Sequence, residues 1–279
     1  MKLGFVILAA VIASGSISAA AETPAASPAI GDTASLVSTI AGEPAARRPL
    51  ARLSMPLCLT VAAEDENFAR SVAERIIANA GVAGVPTLGP GCTPNALVTF
   101  SKDAAAQINA YRAEGRKLFR MMSEKEIDAA LAGRDPAYVF QAVKAGGNWA
   151  DPGENFEIGA GASWEKERSY QRRPEHLLST LVMFEADAVI GLSPVQIADY
   201  ASLRLLAQTG EVPAEGANAP DTILSLFSTP AEAPLQMSRA DRAYLRSLYS
   251  LPRTAFAKEV LEAALVDAAG AADERENED

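Results

Sequence analysis

Apolar residues recur along this chain with two different periods, and the switches between them mark its elements. Pro56 to Val61 is a short, nearly continuous apolar run, which predicts a strand. Asp65 then stands as a cap before Phe68, Val72, Ile76, Ile77 and Ala80, a stripe at helical spacing. Gly89-Pro90-Gly91 makes a turn, and Ala96 to Phe100 predicts a second strand. Residues 103–114 read as a helix, and Ser123-x-x-Glu126 opens another that closes at Gly133. Tyr138 to Lys144 alternates as a strand does, whereas 145–170, rich in glycine and turn formers, receives no element. Leu177 to Glu185 is the most strand-like run of all. After it, Ser193-Pro194-Val195-Gln196 joins a capping box to a proline at the first helical position, opening a helix to about Ala207. Asp221 to Phe227 is turn-like, Ser238 opens a helix to Tyr249 that Pro252 ends, and Thr254 begins the last one. Strand, helix, strand and then helices predict the α/β (α+β) class, a single mixed sheet packed by helices.

The ends of the chain follow other rules. Lys2, the apolar run Leu3 to Ile12 and the small residues Ala19-Ala20-Ala21 have the order of a secretory signal, so 1–21 is expected to be cleaved before Glu22. No cysteine at that point invites a lipid anchor. Residues 22–50, rich in Ala, Pro, Ser and Thr, predict a flexible linker. The last residues, 271–279, predict an acidic disordered tail, which leaves 51–270 as a single domain. A periplasmic or secreted protein is expected, with no membrane span after cleavage.

Charge narrows the partners. The formal net charge is −10, and cleavage of the leader, which removes Lys2 and no acid, makes the chain more acidic still. Nucleic acid is excluded as an expected partner, because phosphate neutralisation supplies most of that affinity and Arg47-Arg48 and Arg168 to Arg173 are too short to supply it. Cys58 and Cys92, the two cysteines, predict one disulfide in an oxidising compartment, worth about 3–4 kcal/mol in the chain-entropy model. They lack the Cys-x-x-Cys spacing of a redox pair.

The second half of the chain resembles the metzincin-type zinc peptidases in its order of elements. In that family a strand leads to a helix bearing His-Glu-x-x-His, then a methionine turn, then a last helix that opens Ser/Thr-x-x-Asp and ends Leu-Tyr. Here the strand is Thr180 to Glu185 and the helix reads Gln196-Ile197-Ala198-Asp199-Tyr200-Ala201-Ser202-Leu203. The turn is Thr222 to Phe227, and the last helix opens Ser238-Arg239-Ala240-Asp241 and ends Ser247-Leu248-Tyr249. The resemblance implies a zincin-like architecture. It does not carry the chemistry: Gln196 and Tyr200 stand where the family has zinc histidines, Ile197 stands for the catalytic glutamate, and leucines replace the turn methionine. Zinc takes about three protein ligands in a catalytic site, and the chain has one histidine, His176. The segments Asp199 to Arg204 and Asp241 to Tyr249 are also similar to uncharacterised secreted proteins of alphaproteobacteria.

The expected function is therefore that of an exported, non-catalytic binding or scaffolding protein with no metal and no cofactor, serving an envelope protein or a small ligand. Gln196 and Tyr200 are the candidate cleft residues of a small-ligand site, offering hydrogen bonds. The alternative is a hydrolase using Glu185 and Asp187, which at i, i+2 on a strand would share a face, with a bound metal. Ser193 and Ser238 are read as caps, and Gln196 is accounted for by its capping box. Ile197, Ala201, Leu205, Tyr244, Leu245, Leu248 and Tyr249 face the core. Asp199 and Arg204, five apart on one helix, are poorly placed to pair. His176, among charged neighbours, is expected at the surface.

Overall fold

A computed structural model describes residues 30–133, 136–146, 173–211 and 221–276 of the chain. The signal reading of 1–21, the linker residues 22–29 and the unassigned stretch 147–170 lie outside the described residues.

Strand β5 (Glu175–Glu185) is the hub of one five-stranded sheet. One of its sides carries two parallel partners in succession. Strand β1 (Arg52–Leu53) pairs with His176 and Leu177, and β3 (Ala96–Ser101) with Thr180 through Glu185. Strand β2 (Leu59–Ala62) continues outward, parallel to β3. On the opposite side β4 (Ala137–Ala145) runs antiparallel to nearly the whole of β5, with a bulge between Ala142 and Val143. A sheet that is parallel but for one strand fits the strand–helix–strand pattern, since each parallel connection needs a crossover. Helix α2 (Glu66–Ala83) supplies the one between β2 and β3.

Side chains of the strands alternate between two cores. Ala96, Val98, Val182 and Phe184 point into the larger one, beneath α2, α6 (Pro194–Leu206) and α7 (Arg239–Ser250). Leu181, Met183, Tyr138 and Phe140 point the other way, under α3 (Ala104–Ala113), α4 (Lys117–Arg120) and α5 (Glu124–Ala132). The caps stand where the sequence placed them. Asp65 accepts from the Asn67 and Phe68 amides, and Ser123, Ser193 and Ser238 each close a capping box. Of the α2 stripe, Val72, Ile76 and Ala80 are buried, but Ile77 is 42% exposed, because its turn of the helix faces away from α6. Cys58 and Cys92 are bonded, with Cα atoms 6.0 Å apart.

Three expectations are corrected. The linker is not a tether over its described part: α1 (Ile30–Ala41) buries Val37, Ile40 and Ala41, packs on α7 and α8 (Ala257–Glu276), and belongs to the larger core. The mean composition of 22–50 hid the spacing of Val37, Ile40 and Ala41, which puts them on one helical face. The acidic tail is helical through Glu276, where α8 ends. His176 is 1% exposed rather than at the surface, because β1 covers the start of β5 and the Ser54 hydroxyl meets its Nδ1.

Among the described residues no helix is long and apolar enough to cross a membrane.

Candidate functional site

Helix α6 lies at the centre of the molecule, with every residue from Gln196 to Leu206 buried. So complete a burial forces each polar side chain on it to find a protein partner. Gln196 spends its amide oxygen on the Ser193 amide and hydroxyl, both 3.2 Å away, and its amide nitrogen donates to the Pro234 carbonyl at 3.3 Å. It caps the helix and fastens the loop before α7.

Asp199 faces α2. The Arg75 guanidinium grips it through two bonds of 2.7 and 2.9 Å, Asn79 donates at 2.7 Å and the Met237 amide at 2.7 Å. Asn79 also reaches the Ser202 hydroxyl, which in turn donates to the Ala198 carbonyl. The hydrogen bond to Asp199 raises the Arg75 pKa against the opposing effect of burial. Asp199 and Arg204 do not pair with each other; each has its own counter-ion elsewhere.

Tyr200, one turn after Gln196, points the other way, into a cleft of about 380 Å³. The Phe227 ring meets it edge-on at 5.0 Å, and Phe184 lies behind at 5.9 Å. Edge strand β4 supplies one wall through Ala137, Tyr138 and Val139, and the turn after α6 supplies the other through Leu224, Phe227 and Ser228. That turn, Ile223–Leu226, is a 3-10 segment held from below by a buried carboxylate. Asp241 accepts from the Thr222 hydroxyl at 2.5 Å and from the Ile223 and Ser238 amides at 2.9 and 2.8 Å. Burial raises the Asp241 pKa; the bonds from Thr222, Ile223 and Ser238 oppose that without cancelling it.

Arg204 and Glu211 are the charged residues of the cleft. Arg204 is 4% exposed, and its guanidinium donates to the Tyr200 hydroxyl (3.3 Å), Thr209 Oγ1 (2.9 Å), the Gly210 carbonyl (2.9 Å) and both Glu211 oxygens (3.1 and 3.2 Å). Burial works against its charge, but Tyr200 and Glu211 outweigh it and the pKa is raised. Gln141 of β4 donates to the Arg204 and Ala207 carbonyls at 2.6 and 2.9 Å, covering the exposed end of α6.

The acidic pair does not assemble. Strand β5 ends at Glu185, and Asp187 falls in the 3-10 turn Ala186–Val189, exposed, so the two side chains do not share a strand face. Both Glu185 oxygens accept from the Ala104 amide, at 3.2 and 3.3 Å, at the positive end of α3. Neither residue lines the cleft, and of the candidates only Tyr200 does. Ser54 and His176 form a hydroxyl–imidazole pair that lies far apart in sequence, but both are buried, and Arg253 holds the Ser54 carbonyl. Among the described residues no three His, Cys, Asp or Glu side chains converge as a metal site would require.

Sequence reasoning missed Arg204 and Glu211 as partners. A signal existed: an arginine in the last turn of a fully buried helix, too far from Asp199 to pair with it, needs an acceptor set, and Thr209, Gly210 and Glu211 follow at once. No protein-family model, curated protein or solved structure matches this chain.

Proposed function

We propose that this is an exported, non-catalytic binding domain of zincin-like architecture, and that its ligand site is the cleft between β4 and α6. One observation carries the reading. On the helix that resembles an active-site helix, Gln196 is consumed as a cap and Asp199 as a structural counter-ion, while Tyr200 and, one turn on, Arg204 open onto a cavity. About 380 Å³ lined by aromatic and aliphatic side chains with a few convergent polar groups is the usual form of a small-ligand site. The zincin-like part rests on the order strand β5, helix α6, turn, capped helix α7. Export rests on the leader-like start of the sequence together with the bonded cysteines, which persist in oxidising compartments. The hydrolase alternative has less support, because Glu185 is spent on α3 and Asp187 points to solvent.

Three measurements test the reading. A small-molecule fragment library screened by ligand-observed NMR should give hits that vanish in Ser228→Trp, which fills the cleft from the turn. Hits indifferent to that change would move the site elsewhere. Protein purified without chelator should carry no stoichiometric zinc and cleave no peptide library. Zinc whose removal abolishes cleavage would overturn the non-catalytic reading, and an uncleaved Met1 on periplasmic protein would overturn the export.

A further inference from the structure

The charges of the cleft say what kind of ligand it takes, an inference that rests on the cleft being the binding site. Arg204 is a fixed cation. Tyr200 holds its Nε, and Thr209 and Gly210 hold Nη1, so the guanidinium cannot swing away. The Gly210 end of this cradle is itself locked: a Cβ on Gly210 would sit 2.5 Å from the Gly42 Cα, and the Gly210 amide donates to the Ile40 carbonyl. Nη2 faces outward beside Nη1, whose two protons are shared among Thr209, Gly210 and Glu211, and the two Glu211 oxygens meet this edge at 3.1 and 3.2 Å. This is the fork geometry by which arginine recognises a carboxylate. The carboxylate is the chain's own Glu211, yet the Glu211 side chain is 87% exposed while that of Arg204 is 4% exposed. A buried, oriented arginine paired with a solvated acid is a recognition element whose partner is exchangeable.

We propose that Arg204 is the anion-recognition residue of the cleft, and that the ligand is a compact molecule bearing a carboxylate on an apolar or aromatic body, which binds by displacing Glu211. The body of such a ligand would lie against Tyr200, Phe227, Val139 and Leu224, all of which line the same cavity and pack on the larger core. The volume, about 380 Å³, stands near the lower end of small-ligand sites and sets the compactness. A carboxylate is favoured over a phosphate because, among the described residues, Arg204 is the one cation lining the cavity and the chain's net charge of −10 opposes a dianion. Glu211 acts as an internal competitor. A half-exposed ion pair of this kind leaves the open form a minority, so removing the acid should tighten binding roughly fivefold.

The test uses the exported full chain and the Glu211→Ala variant, which removes an exposed side chain and whose fold is checked by circular dichroism. The probes are 3-phenylpropionate, its neutral amide and phenyl phosphate, titrated by ligand-observed NMR. The acid should bind the parent protein weakly and Glu211→Ala about fivefold more tightly, while the amide binds both variants alike and more weakly than the acid. An amide as good as the acid, an acid indifferent to Glu211→Ala, or a preference for phenyl phosphate would each overturn the carboxylate assignment while leaving the cleft as a binding site. If no probe binds either variant, the assignment fails along with the reading of the cleft.

Discussion

Asp199 shows what one side chain can carry when it has no exposed surface. Four donor groups from two segments converge on it, so it ties α2 and the loop before α7 to the central helix. Removing one member of such a pair strands the other as an uncompensated buried group. Asp199→Ala should cost about 3–5 kcal/mol in urea unfolding, and Arg75→Ala less, since Arg75 is a third exposed and water can replace part of its role. Equal losses would mean that Arg75 alone compensates the buried carboxylate, and no loss in Arg75→Ala would mean that the Asn79 and Met237 amides hold it. Asp241 is a carboxylate in the opposite condition. Its pKa is raised in the folded state by burial, so the native protein binds a proton at a pH where the unfolded chain has already released it. Stability contributed by this group is therefore fully present below the ordinary carboxylate pKa of the unfolded chain and is lost as the pH rises from there through the raised native value. Asp241→Asn cannot titrate, so its penalty relative to the parent protein should be larger at pH 4 than at pH 7. A penalty that grows toward pH 7 would mean the donors from Thr222, Ile223 and Ser238 outweigh burial.

Elements were legible wherever the signal was local. Asp65, Ser123, Ser193 and Ser238 cap helices in the positions their spacing predicts, because a cap needs only its own helix's first amides. Gln196 as a cap was legible for the same reason. What escaped the sequence depends on partners far along the chain. The two-residue β1 is defined by its pairing with His176 and Leu177, and that pairing is also what buries the histidine. Spacing showed only that Arg204 is poorly placed to pair with Asp199; its acceptors, Glu211 and the Gly210 carbonyl, come from the chain beyond the helix. Helix α1 was hidden by the alanines and prolines around it, and its docking rests on a contact no composition shows. Its end meets Gly210 so closely that a methyl group there would lie 2.7 Å from the Thr39 carbonyl oxygen as well as against Gly42. Gly210→Ala should therefore destabilise the protein by roughly 1–3 kcal/mol. The loss should appear first as faster amide exchange in α1, with α6 slower to respond. Uniform loss of protection would instead mean that α1 and the core unfold as one unit.

The whole molecule is one sheet with a core on each face, and a single covalent cross-link sits at its β2–β3 corner. That corner is already tied without the disulfide. Asn95 accepts from the Cys58 amide at 2.8 Å and donates to the Pro56 carbonyl at 2.9 Å, and the Asn95 and Ala96 amides both donate to the Cys58 carbonyl. Strand β3, which follows, is held on both sides by β2 and β5. Reduction should therefore leave the native fold in place and act on the unfolded chain, freeing a loop whose ends are 34 residues apart. In the chain-entropy account this costs about 3–4 kcal/mol. Far-UV circular dichroism of the reduced, alkylated protein should match the oxidised form in buffer, while its urea midpoint falls. The slope of the transition should steepen, because an unfolded chain without the cross-link exposes more surface. Two results would contradict this account. A midpoint unmoved by reduction would mean the loop ends stay together in the denatured state. Loss of structure in buffer would mean the Asn95 bonds do not hold the corner by themselves. Where the reduced form folds but unfolds early, the domain gains its margin of stability only on oxidation, so that margin depends on the redox state of its surroundings.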